Sequence, residues 1–193
     1  MLARSATIIK WVLYALAGLA CTVVQAAVLQ RFTLWGVIPF LYPLIAALPA
    51  TFEGPAAGTV YALAAGVLCD LLLPSPIPCF YTLIFPLVGL SAGLLSQSLI
   101  PAGYLCSAVA SLPAYLLTGV FHCIVLWATG HAAWTAGLSV TLRELCVSLP
   151  WSLPMAWLFR KVYRRVHIDD LKRYPMNQQP TQFNRVRVMS ALA

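Results

Sequence analysis

Apolar residues recur along this chain in long blocks separated by short polar or proline-bearing breaks, and most blocks approach the length of a membrane crossing. A bilayer core needs about 20 apolar residues per helix, fewer where a short helix sits inside a bundle. On that scale residues 8–29 form a first span, 34–50 a second, 55–73 a third, 79–97 a fourth, 102–129 a fifth and 142–160 a sixth. The second is short and carries Pro39, Pro43 and Pro49. An interfacial stretch around Trp134 to Leu138 precedes the last. No strand pattern of period two is visible. The expected class is an all-α integral membrane protein: a six-transmembrane-helix bundle over residues 1–166, then a basic tail over 167–193.

Composition supports this reading. Hydrophobic residues make up 61% of the 193 positions and charged residues 9%, with mean hydropathy +0.85. A soluble domain of this size would carry roughly a quarter charged residues, so water is not its main solvent. Charge also sets the topology. Of 12 basic residues, eight (Arg160, Lys161, Arg164, Arg165, Lys172, Arg173, Arg185, Arg187) lie near or beyond the end of the last apolar segment, while Arg4 and Lys10 open the chain. Only Arg31 and Arg143 interrupt the middle, with Glu53, Asp70 and Glu144 as its acids. Six spans put both basic ends on one side, the cytoplasmic one; five or seven would separate them.

The first span also has features of a secretory signal, with Val24-Gln25-Ala26 as a small-residue site, but its apolar run continues to Leu29 and is read as an uncleaved helix. After Phe159 the helix is expected to leave the membrane. Phe159, Val162, Tyr163 and Val166 share one face, with Arg160, Lys161, Arg164 and Arg165 around it, as in a helix at a headgroup interface. These cations suit anionic lipid or a cytoplasmic protein partner rather than nucleic acid. From Tyr174 the composition is that of a flexible tail.

Candidate chemistry concentrates between Glu53 and Gln97. The third span carries Gly58, Ala62, Ala65, Gly66 and Cys69, and the fourth carries Gly89, Ser91, Ala92, Gly93 and Ser96. Small residues three and four apart let helix backbones approach closely, either within the chain or against a partner helix. Glu53, at the start of the third span, favours that helix's N-terminus through the dipole. Asp70, one turn before Pro74, is costly in lipid and needs a holder. Three are open: backbone and hydroxyl donors near the proline turn such as Ser75 and Tyr81, the cations Arg31 or Arg143, or a coupled proton or ion.

The six cysteines are spread singly and read as small buried residues without metal spacing. His122 and Cys123, adjacent on a helix, point about 100° apart and do not converge. No catalytic set, metal cluster or cofactor-binding loop is visible, so no enzymatic activity is expected.

The order Leu34-Trp-Gly-Val-Ile-Pro-Phe-Leu, Glu53-Gly-Pro-x-x-Gly58, Ala65-Gly66-Val-Leu-Cys-Asp70-Leu-Leu and then Pro76 to Leu95 with Gly89-Leu-Ser-Ala-Gly93 resembles the bacterial rod shape-determining MreD family. The likeness covers roughly the first half of the chain, and length and span count agree over the whole. The many prolines and the long basic tail depart from the family's expected pattern. The resemblance implies a non-enzymatic inner-membrane component of the cell-elongation machinery. Such a protein binds the single-span protein MreC and helps link MreB filaments to the transglycosylase and penicillin-binding protein that build lateral peptidoglycan. It also implies a fold like the substrate-binding subunits of energy-coupling-factor transporters.

That likeness raises a rival function, a vitamin-type transport subunit, with Asp70, Tyr81, Thr82, Trp35, Tyr61 and Tyr104 as pocket candidates. Against it, the first span lacks an Ala-x-x-x-Ala ridge: Ala15, Ala17 and Ala20 are followed four residues later by Leu19, Cys21 and Val24.

Overall fold

Pro39 and Pro43 keep regular helix out of the start of the second apolar segment, because proline lacks an N–H and disfavours helical backbone in the residue before it. In the computed structural model, which describes residues 2–74, 77–100, 103–130 and 134–173, that segment has no regular secondary structure through residues 38–41. The rest of the described chain is mostly helical, with no strand. Its elements are α1 (Leu2–Ala27), α2 (Tyr42–Glu53), α3 (Pro55–Leu72), α4 (Phe80–Ser98), α5 (Tyr104–Ala128), α6 (Trp134–Ser148) and α7 (Ser152–Arg173). Turns of 3₁₀ helix occupy Leu29–Arg31 and Leu149–Trp151.

Four stretches are long and apolar enough to cross a membrane: Thr7–Arg31, Pro55–Leu72, Phe80–Ser98 and Tyr104–Ala128. Two expected spans take another form. The second, expected over 34–50, is a helix of only 12 residues. At 1.5 Å per residue it reaches about 18 Å, little more than half a bilayer core. The sixth, expected over 142–160, is broken where the 3₁₀ turn containing Pro150 separates α6 from α7. The stretch around Trp134 to Leu138 is the opening of α6 rather than a separate interfacial segment. Of the expected tail, residues up to Arg173 continue α7, and 174–193 lie outside the described residues.

The short α2 is the axis of the bundle. Tyr42 through Thr51 are all buried, and the helix packs on α3, α4, α5 and α7. Outside it, α1 turns Tyr14, Ala17, Cys21 and Gln25 inward at steps of three or four and packs mainly on α7. Leu16, Leu19 and Val23 on its other side are exposed, as suits lipid.

Ion pairing and rings close one end of the bundle. Lys10 pairs with Glu53, and the Tyr14 hydroxyl donates to Glu53 at 3.0 Å. Glu53 thus ends α2 and ties it to α1, one residue before the N-cap of α3. Tyr163 lies 5.6 Å from Phe52, and the Arg160 guanidinium sits 4.8 Å above the Tyr104 ring.

Candidate functional site

The α3–α4 hairpin is assembled by the residues that stand out in the sequence. A β-carbon placed on Gly66 would fall 2.6 Å from the backbone oxygen of Tyr81, and one on Gly93 would fall 2.5 Å from the Cα of Pro55. On Gly89 it would meet the Ala62 side chain at 2.7 Å, and on Gly58 it would meet Ala50 of α2 at 2.2 Å. Gly58, Ala62, Gly66, Gly89 and Gly93 therefore face other helices of this chain, with backbones in direct contact.

Asp70 completes the hairpin. Its carboxylate accepts the backbone N–H groups of Tyr81 at 3.0 Å and Thr82 at 2.8 Å, and the Thr82 hydroxyl at 2.6 Å. These are the second and third residues of α4, whose own N-cap, Cys79, supplies no side-chain acceptor. Asp70 is an N-cap delivered from the neighbouring helix, satisfying orphan donors and the positive end of the dipole together. Arg31 and Arg143 are exposed and, among the described residues, neither forms an ion pair with it. Ser75, another expected partner, lies outside the described residues.

A graded loss follows for substitutions here. Asp70→Leu leaves two N–H groups and a hydroxyl unpaired and should cost roughly 2–4 kcal/mol, whereas Asp70→Asn keeps an accepting oxygen and should cost about half as much. Thermal melting of the purified protein in detergent reads this order; equal loss in both variants would mean that the charge itself is required.

Sequence inspection missed a second polar centre, in the irregular segment ahead of α2. Pro39 has only a carbonyl to satisfy, and it accepts the Gln25 side-chain amide at 2.6 Å. The Phe40 N–H donates to Ser148 Oγ at 2.9 Å, and its carbonyl accepts the Tyr115 hydroxyl at 2.5 Å. The Leu41 N–H donates to Gln25 Oε1 at 3.2 Å, and its carbonyl accepts the Ile45 N–H at 3.0 Å. Every backbone polar group of residues 39–41 is thus paired, the condition under which non-helical backbone survives at membrane depth. Tyr115 lies near the midpoint of α5, so α2 begins in the middle of the bundle. The available signal was Gln25 itself, a long amide inside an apolar run.

Beside this centre, α4, α5, α6 and the start of α2 line a partly open cavity of about 270 Å³, with Phe40, Tyr81, Tyr115, His122 and Glu144 in its wall. The helices α5 and α6 meet there through Gly119 against Thr141 and Gly137 against Cys123. His122 stands edge-on to Phe80 at 5.6 Å, while Cys123 faces Thr141 at 3.9 Å. The pocket candidates named from sequence do not converge. Trp35 is exposed on the loop before α2, Tyr61 lines a separate cavity beside α1, and Tyr104 lies under Arg160.

Phe159 is fully buried and stacks on Tyr14, so the apolar face of α7 packs on the bundle. Lys161, Arg164 and Arg165 are exposed, with Lys161 4.8 Å above the Trp157 ring. Of the cysteines, Cys21, Cys69, Cys106 and Cys123 are buried, but Cys79 and Cys146 are exposed, contrary to the reading that all six are buried. Among the described residues no group of three metal-ligating side chains occurs. Comparison with protein-family models, with curated proteins and with solved structures finds no match to this chain.

Proposed function

We propose that this chain is a non-enzymatic membrane scaffold of the bacterial cell-elongation machinery, seated in the inner (plasma) membrane. In this reading it binds an MreC-like single-span membrane protein and helps couple MreB filaments to the transglycosylase and penicillin-binding protein of lateral wall synthesis. The two basic ends face the cytoplasm, the non-helical segment before α2 together with α2 serves as the second crossing, and the broken α6–α7 path serves as the sixth. Arg160, Lys161, Arg164 and Arg165 then lie beside anionic lipid or a cytoplasmic partner.

One observation carries the reading beyond the resemblance in sequence. The residues of that resemblance, Gly58, Gly66, Asp70, Gly89 and Gly93, are spent on fixing α2, α3 and α4 to one another. What remains is a rigid hairpin whose outward residues, such as Val60, Leu71 and Leu83, are exposed and apolar. A rigid apolar face suits recognition of a helix in lipid, where close packing rather than hydrophobic drive holds partners.

The test is co-expression with a tagged MreC-like protein and purification in detergent. Stoichiometric retention of this chain is the expected outcome. A well-folded chain that never co-purifies would remove the proposal.

A further inference from the structure

The cavity between α4, α5 and α6 contains a carboxylate that the scaffold reading does not use. Glu144 lines it half-buried and, among the described residues, makes no hydrogen bond and no ion pair. No lysine or arginine is in the wall. Tyr81 is almost fully buried with its backbone N–H committed to Asp70, and its hydroxyl makes no hydrogen bond among the described residues. The remaining lining is largely apolar and aromatic, with Phe40 and Tyr115 beside the carboxylate's helix. Gly119 meets Thr141 and Gly137 meets Cys123, so α5 and α6 run antiparallel. Glu144 therefore falls level with Tyr115 to Leu116, and His122 about two turns away, so the two do not pair directly.

From this arrangement we infer that the cavity is a binding site for a compact organic cation, an ammonium head with a small apolar body, with Glu144 as its counter-charge. A half-buried carboxylate that faces a largely apolar wall with no lysine or arginine in it favours a cation as partner. Aromatic faces attract ammonium groups, and a hydroxyl such as that of Tyr81 can orient one. A divalent metal is disfavoured, because it would require more oxygen ligands than one carboxylate and scattered hydroxyls supply. The volume, about 270 Å³, is near the small end of the roughly 300–1,000 Å³ usual for small-molecule sites. The competing role for Glu144 is purely structural, as a counter-charge to the N-terminal end of α2, which reaches the same wall. This inference is independent of MreC binding.

The ammonium has two sources, a soluble amine or the headgroup of phosphatidylethanolamine, and the experiment separates them. The full chain in phosphatidylglycerol nanodiscs is titrated with choline, ethanolamine and phenethylamine, and its melting temperature is followed. A second set of nanodiscs contains phosphatidylethanolamine. Saturable stabilisation by at least one soluble cation, absent with the neutral carbon isostere of choline, supports the site and a soluble ligand. Stabilisation only in the phosphatidylethanolamine discs supports the site and a lipid ligand. In either case Glu144→Gln should weaken binding about tenfold or more while the ligand-free protein melts within a few degrees of the parent. Two results overturn the inference: no cation or headgroup stabilises the parent, or Glu144→Gln binds as well as the parent. If Glu144→Gln melts far lower without any ligand and the parent ignores every cation, the carboxylate serves α2 alone.

Discussion

Gly66→Leu is expected to abolish accumulation of folded protein. The side chain would begin 2.6 Å from the Tyr81 carbonyl and 2.9 Å from the Thr82 Cα, both backbone atoms of α4. A flexible side chain could swing aside, but a helix backbone cannot. The two helices must separate, and separation also pulls Asp70 from the N–H groups it caps at 2.8–3.0 Å. Overpacking in a core typically costs 1–3 kcal/mol, and here the lost cap adds roughly 2 more. The total, roughly 3–5 kcal/mol, approaches the lower end of the roughly 5–15 kcal/mol that holds a typical domain folded. Gly66→Ala should already lower the melting temperature clearly. Gly130→Ala provides the control: its β-carbon meets nothing within 4 Å, and it bears only the strain of φ +72°, about 1 kcal/mol. Fluorescence-detected size exclusion after graded heating distinguishes the three. If Gly66→Leu melts like Gly130→Ala, the α3–α4 contact is not as described.

Gln25→Leu should be nearly as damaging, although leucine suits an apolar interior better than glutamine. One amide serves two backbone groups, the Pro39 carbonyl at 2.6 Å and the Leu41 N–H at 3.2 Å. Single side-chain hydrogen bonds in membrane proteins average only about 0.6 kcal/mol, because a freed partner usually finds another. These backbone groups have no such choice. Proline fixes the local geometry, the segment lies outside any helix, and Ser148 and Tyr115 are already bonded to Phe40. Two unpaired groups in a dry interior should cost about 2–4 kcal/mol together. Val24→Leu, next in sequence but facing outward, should change stability by under about 0.5 kcal/mol. Reversible unfolding in mixed micelles, followed by tryptophan fluorescence, measures both. Equal midpoints for the two variants would contradict a structural role for Gln25.

Much of the hairpin was legible because its signals are local. The spacing of Gly58, Ala62 and Gly66 against Gly89 and Gly93 marks a surface for close helix approach, and α3 and α4 fall within a residue or two of the expected 55–73 and 79–97. Asp70 announced itself as an acid that needs donors. Which donors it would find was open, since cations at Arg31 and Arg143 competed on paper with backbone groups eleven and twelve residues away. The half-crossing α2 was less legible. Its prolines warned of interruption, but a hydropathy window scores Leu34 to Ala50 as apolar whether or not it is helical.

By itself, then, the amino-acid order determined the helical class, the long apolar stretches, the distribution of basic residues and the stripes of small side chains. These depend on transfer energies and periodicities that each segment carries alone. The tertiary structure decided what no segment holds alone: that Asp70 caps a neighbouring helix, that Gln25, Tyr115 and Ser148 from three helices sustain a non-helical backbone, and that Glu144 faces a cavity. Each joins residues distant along the chain, from 11 positions for Asp70 and Tyr81 to 108 for Phe40 and Ser148. A buried donor takes whichever acceptor the packing brings within about 3 Å, and only the assembled bundle specifies that acceptor.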